Sequence, residues 1–175
     1  ESGFTSHFKA FAMASAGKDI GHQKFELESM LLQINTWLEL ISVCLSNGYE
    51  ASNTCVEISD IRIIEQLIDR GVVDRSIVRK NTQAKNFDPF KMSNIAIPTM
   101  VDSLLSVTNI DSSLTAYIYS LKLAEDNVVG VLRKRFPLVK FSFNLGRCAG
   151  IGYYSGLCYK ITSTNKLGED YPLAD

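Results

Sequence analysis

Two adjacent tyrosines, Tyr153 and Tyr154, lie between glycines in the segment GIGYYSGLCYK (150–160). A phenol donates or accepts a hydrogen bond and also presents an aromatic face. The pair therefore suits acid–base chemistry, the wall of a ligand pocket, or ordinary packing on a sheet. No charged residue precedes Lys160 in this segment. The pair by itself does not decide among these three uses.

The other residues with chemical potential form no familiar constellation. Asp19 is an acidic residue between glycines in GKDIGH (17–22), and its plainest role is in a turn or a cap. His7 and His22 lack metal-ligand spacing, and no nucleophile elbow or phosphate-binding glycine loop is found. We expect no metal and no cofactor. The four cysteines are widely spaced and are expected to be reduced thiols: Cys44, Cys55, Cys148 and Cys158.

Composition favours one folded domain covering residues 1–175. The chain has 175 residues, 46% of them hydrophobic, which is enough for a proper core. Its 18 basic and 19 acidic residues are mixed along the chain and give a net charge of −1, so we expect no nucleic-acid binding. Neither a membrane span nor a signal peptide is indicated, and a cytoplasmic location is predicted.

The first half of the chain predicts helices around one strand. A long amphipathic helix is expected over 25–47 and ends at Asn47-Gly48. A β-branched strand over 54–58 leads through Ser59-Asp60 into a helix that ends at Gly71. A short helix over 72–81 is predicted to be capped by Asp74, and 82–98 is predicted to be loop with short helical turns.

The second half predicts two more helices and a hairpin. Helices are expected over 99–107 and 112–135, the latter with cations at its C-terminal end. Alternating residues over 138–145 and 153–162, joined by a turn at 146–150, predict a β-hairpin with the tyrosine pair at the start of its second strand. The fold class is therefore α+β.

Three segments together resemble histidyl-tRNA synthetases and the synthetase-like regulatory subunit of ATP phosphoribosyltransferase. AGKDIGHQKFELE (16–28) is similar to the family's glycine-flanked acidic strand and the helix after it, and VEISDIRIIEQLIDRG (56–71) to its next strand and helix. FSFNLGRCAGIGYYSGLCYKI (141–161) resembles the family signature R-G-x-x-Y-Y-[TS]-G. The resemblance implies a partial class II aminoacyl-tRNA synthetase-like antiparallel sheet flanked by helices.

The departures from the family pattern bear on catalysis. Ala149 occupies the position of the synthetase arginine that meets the activated phosphate, and Arg147 lies two residues earlier. Ser15 falls where the family has a substrate-holding glutamine, and Gly152 replaces an acidic residue. The family's first motifs and its later glycine-rich segment have no counterpart here, so the chain represents either part of the family domain or a reduced descendant of it.

These features predict a catalytically inactive regulatory subunit of ATP phosphoribosyltransferase in histidine biosynthesis. By resemblance, it would assemble with the short catalytic subunit as an oligomer, activate it, and help transmit feedback inhibition by histidine. Histidine would be bound by Asp19 at its ammonium, with Tyr153, Tyr154 and Ser15 completing the pocket. A divergent histidyl-tRNA synthetase, a synthetase-like sensing domain in a larger regulatory protein, and an unrelated α+β domain remain as alternatives.

Overall fold

The computed structural model describes residues 11–82, 87–93, 95–107 and 110–175. His7 and part of the predicted loop at 82–98 lie outside these ranges. The strands are β1 (Ser52–Asp60), β2 (Met100–Val101), β3 (Lys140–Asn144), β4 (Leu157–Thr164) and β5 (Asp170–Ala174). The helices are α1 (Lys24–Ser46), α2 (Arg62–Asp69), α3 (Arg75–Asn81), α4 (Pro89–Met92), α5 (Thr115–Ala124) and α6 (Gly130–Arg135), with a π-helical segment over Glu125–Val129 and 3₁₀ turns at Leu104–Ser106 and Ser112–Leu114.

The strands form one sheet in the order β2-β3-β1-β4-β5. Pairings β2–β3, β1–β4 and β4–β5 are antiparallel, while β1 and β3 are parallel. With helices packed against the sheet, the α+β class is confirmed. The expectation of a purely antiparallel sheet is wrong at the β1–β3 pairing, because the chain passes through α2 to α6 between these strands and can return in the same direction.

The core lies on one face of the sheet, where apolar side chains of the central strands meet the helices. Val56 and Ile58 of β1 and Phe143 of β3 are fully buried there. Helix α1 adds its stripe of Leu27, Met30, Ile34 and Leu38, at the spacing that placed a helix over 25–47 in the sequence.

Local signals set the boundaries of the elements around β1. Asp60 Oδ1 accepts a hydrogen bond from the Arg62 amide at 3.1 Å, and Asp74 Oδ1 accepts one from the Ser76 amide at 2.6 Å. The predicted cap at Asp74 is thereby confirmed, but α3 begins at Arg75 and not at residue 72. Ser59-Asp60 ends β1, and the N-cap residue of α2 is Ile61. The predicted helix over 112–135 is also present, as a 3₁₀ turn followed by α5, the π-helical segment and α6 in unbroken succession.

The predicted hairpin between 138–145 and 153–162 is wrong. Both strands exist, but β1 lies between them and pairs with each. A connection from residue 145 to 156 is long enough to cross one intervening strand, whereas a tight turn is not. Strand β4 begins at Leu157, so Tyr153 and Tyr154 belong to the turn that precedes it and not to the strand itself.

The predicted helix over 99–107 is also wrong. Met100 and Val101 form the edge strand β2 against β3, and Ser103 caps a single 3₁₀ turn. Backbone pairing with the sheet, where Val101 meets Phe143, outweighs the weak helical periodicity of this segment.

Helix α1 has one further property. By length and mean hydropathy, 1.2 over its best window, it is apolar enough to cross a membrane. A core helix with the same composition also meets that criterion; in α1, 17% of the window is buried, and the four buried residues belong to the hydrophobic core.

Candidate functional site

The tyrosine pair borders a cavity of about 660 Å³, here called the tyrosine cavity. Its walls come from the start of α1 and the segment before it, the turn at 150–154, the first half of β4 and the end of β5. The polar or aromatic lining residues are Phe11, Ser15, Phe25, Glu26, Ser29, Gln33, Trp37, Tyr153, Tyr154, Tyr159 and Asp175. Residues from both ends of the described chain, within 11–15 and at 173–175, therefore line the same cavity.

Glycine 150 shapes the turn that presents the two tyrosines. Its φ is +87°, and its carbonyl accepts hydrogen bonds from the amides of Tyr153 and Tyr154 at 2.9 and 3.0 Å. A Cβ atom built on Gly150 would lie 2.3 Å from the Tyr154 ring. Glycine suits this position because it adopts a positive φ without strain and has no Cβ atom to clash with the ring.

The two tyrosines have different surroundings. Their rings contact edge to face with centroids 5.0 Å apart, and Tyr153 is 84% exposed at the rim of the cavity. Tyr154 is half-buried, and its hydroxyl donates to Asp175 Oδ1 at 3.2 Å. Partial burial and the neighbouring Asp175 raise the pKa of Tyr154, so its phenol stays neutral and keeps its proton.

Arg147 lies behind this turn, and its guanidinium is committed to internal contacts. The residue is 4% exposed, and its Nε donates to the Ala149 carbonyl at 3.1 Å. Its Nη2 pairs with Asp175, and its charge lies 5.4 Å from the centre of the Tyr154 ring. Burial alone lowers the pKa of Arg147, but Cys158 and Asp175 outweigh it and raise that pKa, which keeps the guanidinium charged.

Helix α1 supplies the opposite wall. Glu26 Oε1 accepts a hydrogen bond from the Leu157 amide at 3.2 Å, which ties the helix to the start of β4. Gln33, two turns later, accepts from the Tyr159 hydroxyl at 3.4 Å and donates to Ser15 Oγ at 3.2 Å. Burial raises the pKa of Tyr159, so this phenol is also a neutral donor.

Three of the four predicted pocket residues line the tyrosine cavity: Ser15, Tyr153 and Tyr154. Asp19 does not line it. Its Oδ1 accepts a hydrogen bond from the Phe25 amide at 3.3 Å and so caps the first turn of α1, which is the plain role that its position suggested. The contact of Asp19 with a ligand stays a prediction.

The structure adds Glu26, Gln33, Tyr159 and Asp175 to the predicted set. A signal for two of them was present in the sequence. Glu26 and Gln33 are seven residues apart, so they share one face of α1, and they interrupt an apolar stripe with polar groups. Asp175 had no such signal, since only the pairing of β4 with β5 brings it to Tyr154.

The described residues contain no group of three or more histidine, cysteine or acidic side chains that could hold a metal ion. All four cysteines are free thiols. Burial raises the pKa of Cys148 and of Cys158 to about 11, the latter against an opposing effect of Arg147. Both thiols are therefore protonated at neutral pH and are poor nucleophiles.

No protein-family model and no curated protein matches the sequence. A solved structure of the ATP phosphoribosyl transferase (HisG:HisZ) complex from Thermotoga maritima contains a similar chain, at 19% identity and a TM-score of 0.41. The alignment covers 74% of this chain and 50% of that chain, so the protein described here spans about half the length of its structural neighbour.

Proposed function

We propose that the protein is a non-catalytic, synthetase-like regulatory subunit of ATP phosphoribosyltransferase that binds histidine in the tyrosine cavity. One observation supports this most directly. Ser15, Tyr153 and Tyr154, which the sequence resemblance assigns to a histidine pocket, come from opposite ends of the chain and line one cavity. The aromatic rings would contact the imidazole, and the carboxylate of Glu26 would pair with the ammonium group.

The distribution of charge supports the proposed lack of activation chemistry. Adenylate formation needs a fixed cation at the developing phosphate charge. Among the described residues, no lysine, arginine or histidine lines the tyrosine cavity, and Arg147 is held behind the turn by Asp175. The pocket would therefore recognise an amino acid without activating it.

The regulatory role rests on the resemblance of the sequence segments. In this proposal the chain assembles in the cytoplasm with the short catalytic subunit, activates it, and makes it sensitive to histidine. Coupling of this kind requires histidine to bind one state of the assembly more tightly than the other.

Reconstitution tests the proposal. The short catalytic subunit is assayed alone, with this protein, and with this protein plus histidine. We expect activation on mixing and inhibition when histidine is added. Failure of both effects would contradict the regulatory role, and histidine-dependent exchange of pyrophosphate into ATP would favour a synthetase instead.

Calorimetric titration of histidine into the intact assembly tests the pocket. Replacing Tyr153 by alanine should lower the affinity by about tenfold, because the ring lines the cavity and its loss removes an aromatic contact. Tyr119→Ala is the matched control, since Tyr119 is 57% exposed on α5 and does not line the cavity. Asp19→Ala is titrated alongside. An unchanged affinity for histidine in this variant would show that Asp19 does not contact the ligand.

A further inference from the structure

The tyrosine cavity holds an unequal set of hydrogen-bonding groups. Three of its donors are engaged: the Tyr154 hydroxyl with Asp175, the Tyr159 hydroxyl with Gln33, and the Leu157 amide with Glu26. A carboxylate has two oxygens and about four acceptor positions, so Glu26 and Asp175 retain capacity after these bonds. The other donors of the cavity, such as the hydroxyls of Ser29 and Tyr153, are neutral, whereas its strongest acceptors are carboxylates.

The charges around the cavity also favour a ligand that donates hydrogen bonds. Within the part of the chain that the structure describes, Glu26 takes part in no ion pair, and Asp175 pairs only with the buried Arg147. No cationic side chain among the described residues lines the cavity. Arg147 contacts Tyr154 and Asp175 from behind the wall. Arg62 lies near enough to Glu26 that its pKa, raised chiefly by its hydrogen bond to Asp60, is raised further by the Glu26 carboxylate. An organic ammonium would meet a carboxylate and aromatic rings, both of which attract it, whereas a carboxylate would meet like charge.

We propose that this cavity recognises its ligand through an ammonium group and makes no use of a carboxylate, so that an imidazole-bearing amine without a carboxylate binds more tightly than histidine. The choice of the imidazole class rests on the proposed function. The preference for amines rests only on the cavity. Histidine itself would bind with its ammonium near Glu26 and its carboxylate toward the open, solvated side.

Calorimetry on the intact chain, with four probes, tests this inference. Histamine carries the amine without the carboxylate, imidazolepropionate carries the carboxylate without the amine, and histidine carries both. Tyramine retains the amine on a different ring. We expect histamine to bind at least about tenfold more tightly than histidine, and imidazolepropionate to give no measurable heat.

Glu26→Gln should lower the affinity for histamine by about tenfold, because the amide keeps an acceptor for Leu157 but removes the charge. Glu28→Gln is the matched control on the same helix. Glu28 is an exposed partner of Lys24, lies outside the tyrosine cavity, and should leave the affinity for histamine unchanged. Equal losses in the two variants would contradict the assignment of Glu26.

The outcomes separate this inference from the proposed function. If histidine binds as tightly as histamine, or if imidazolepropionate binds, the amine preference is wrong and the histidine pocket stands. If tyramine binds while no imidazole ligand does, the histidine pocket is wrong and the amine preference stands. If none of the probes binds, both are wrong. The comparison of probes uses the unaltered protein, so it does not depend on the folding of any variant.

Discussion

The tyrosine cavity and the groove on the opposite face of the sheet differ in charge balance more than in size. The groove has a volume of about 530 Å³ and is lined in part by Glu57, Asn144, Lys160 and Asp170, with Arg147 at its end. It holds two cations beside two carboxylates, whereas the described wall of the cavity holds carboxylates only. The groove is therefore balanced in charge, whereas the described wall of the cavity is acidic.

Alternation along the strands produces this difference. Glu57 pairs across the sheet with Ser142 and Lys160, which point to the same face, while Val56 and Ile58 point to the other. The polar face forms the floor of the groove, and the apolar face meets the helices. Arg147 lines the groove and contacts Tyr154 and Asp175 of the cavity, so it separates the two regions.

Replacing Arg147 by methionine should have the largest effect on stability. The variant loses the bond to Ala149, the pair with Asp175 and the contact with the Tyr154 ring. We expect the free energy of unfolding to fall by about 3 kcal/mol, measured by urea denaturation. Lys160→Met, which removes a cation from the groove alone, should change it by about 0.5 kcal/mol or less. Similar losses in both would show that Arg147 is not a boundary between the two regions.

Gly150→Ala should have the second-largest effect and lower the free energy of unfolding by about 2 kcal/mol. The substitution imposes strain at a φ of +87° and a contact of 2.3 Å with Tyr154. Gly168→Ala is matched for φ, at +78°, but has no atom within 4 Å of the added Cβ, so it should cost about half as much. Thermal unfolding measures the difference in stability. Histidine affinity should fall only in the first variant, and an equal fall in both would contradict the role of the turn.

Alkaline pH tests the two buried thiols, one in each region. Cys148 lines the groove and Cys158 the cavity, and each has its pKa raised from 9.0 to about 11. Between these values the unfolded chain loses protons that the folded chain keeps. The free energy of unfolding should therefore fall as pH rises from 9 to 11, by about 1 kcal/mol for each thiol after allowance for solvent screening.

Urea denaturation across that pH range measures the effect of the thiols. Cys148→Ala and Cys158→Ala should each remove about 1 kcal/mol of the dependence, and the raised pKa values of Tyr154 and Tyr159 leave a remainder of the same sign. A dependence that is unchanged in both variants would assign it to other groups.

The smallest effect is expected in the groove. Glu57 Oε1 accepts a hydrogen bond from Asn144 at 3.1 Å, and glutamine at this position can preserve that bond. Glu57→Gln should change the free energy of unfolding by about 0.5 kcal/mol or less. Calorimetry should also find histidine affinity unchanged, in contrast to Glu26→Gln. A loss of affinity in Glu57→Gln would place the ligand on the polar face of the sheet.

The sequence by itself determined those parts of the protein that depend on near neighbours. The periodicity of α1, the carboxylates of Asp60 and Asp74 before α2 and α3, and the strand character of β1, β3 and β4 all follow from residues a few positions apart. These features are set by local backbone preference and by the need to bury one face of each element. Tyr153 and Tyr154 were identified in the same way, from their glycine setting.

The tertiary structure decided what meets across long distances in the chain. Insertion of β1 between β3 and β4 moved the tyrosines from a strand into a turn, and the pairing of β5 with β4 brought Asp175 to Tyr154 and Arg147. Strand order depends on the balance between the entropy lost in closing long loops and the apolar surface buried when the strands pair. A local sequence pattern does not reveal this balance, because it involves residues far apart in the chain. The charge of the cavity, and with it the proposed preference for an amine, depends on contacts between these distant residues.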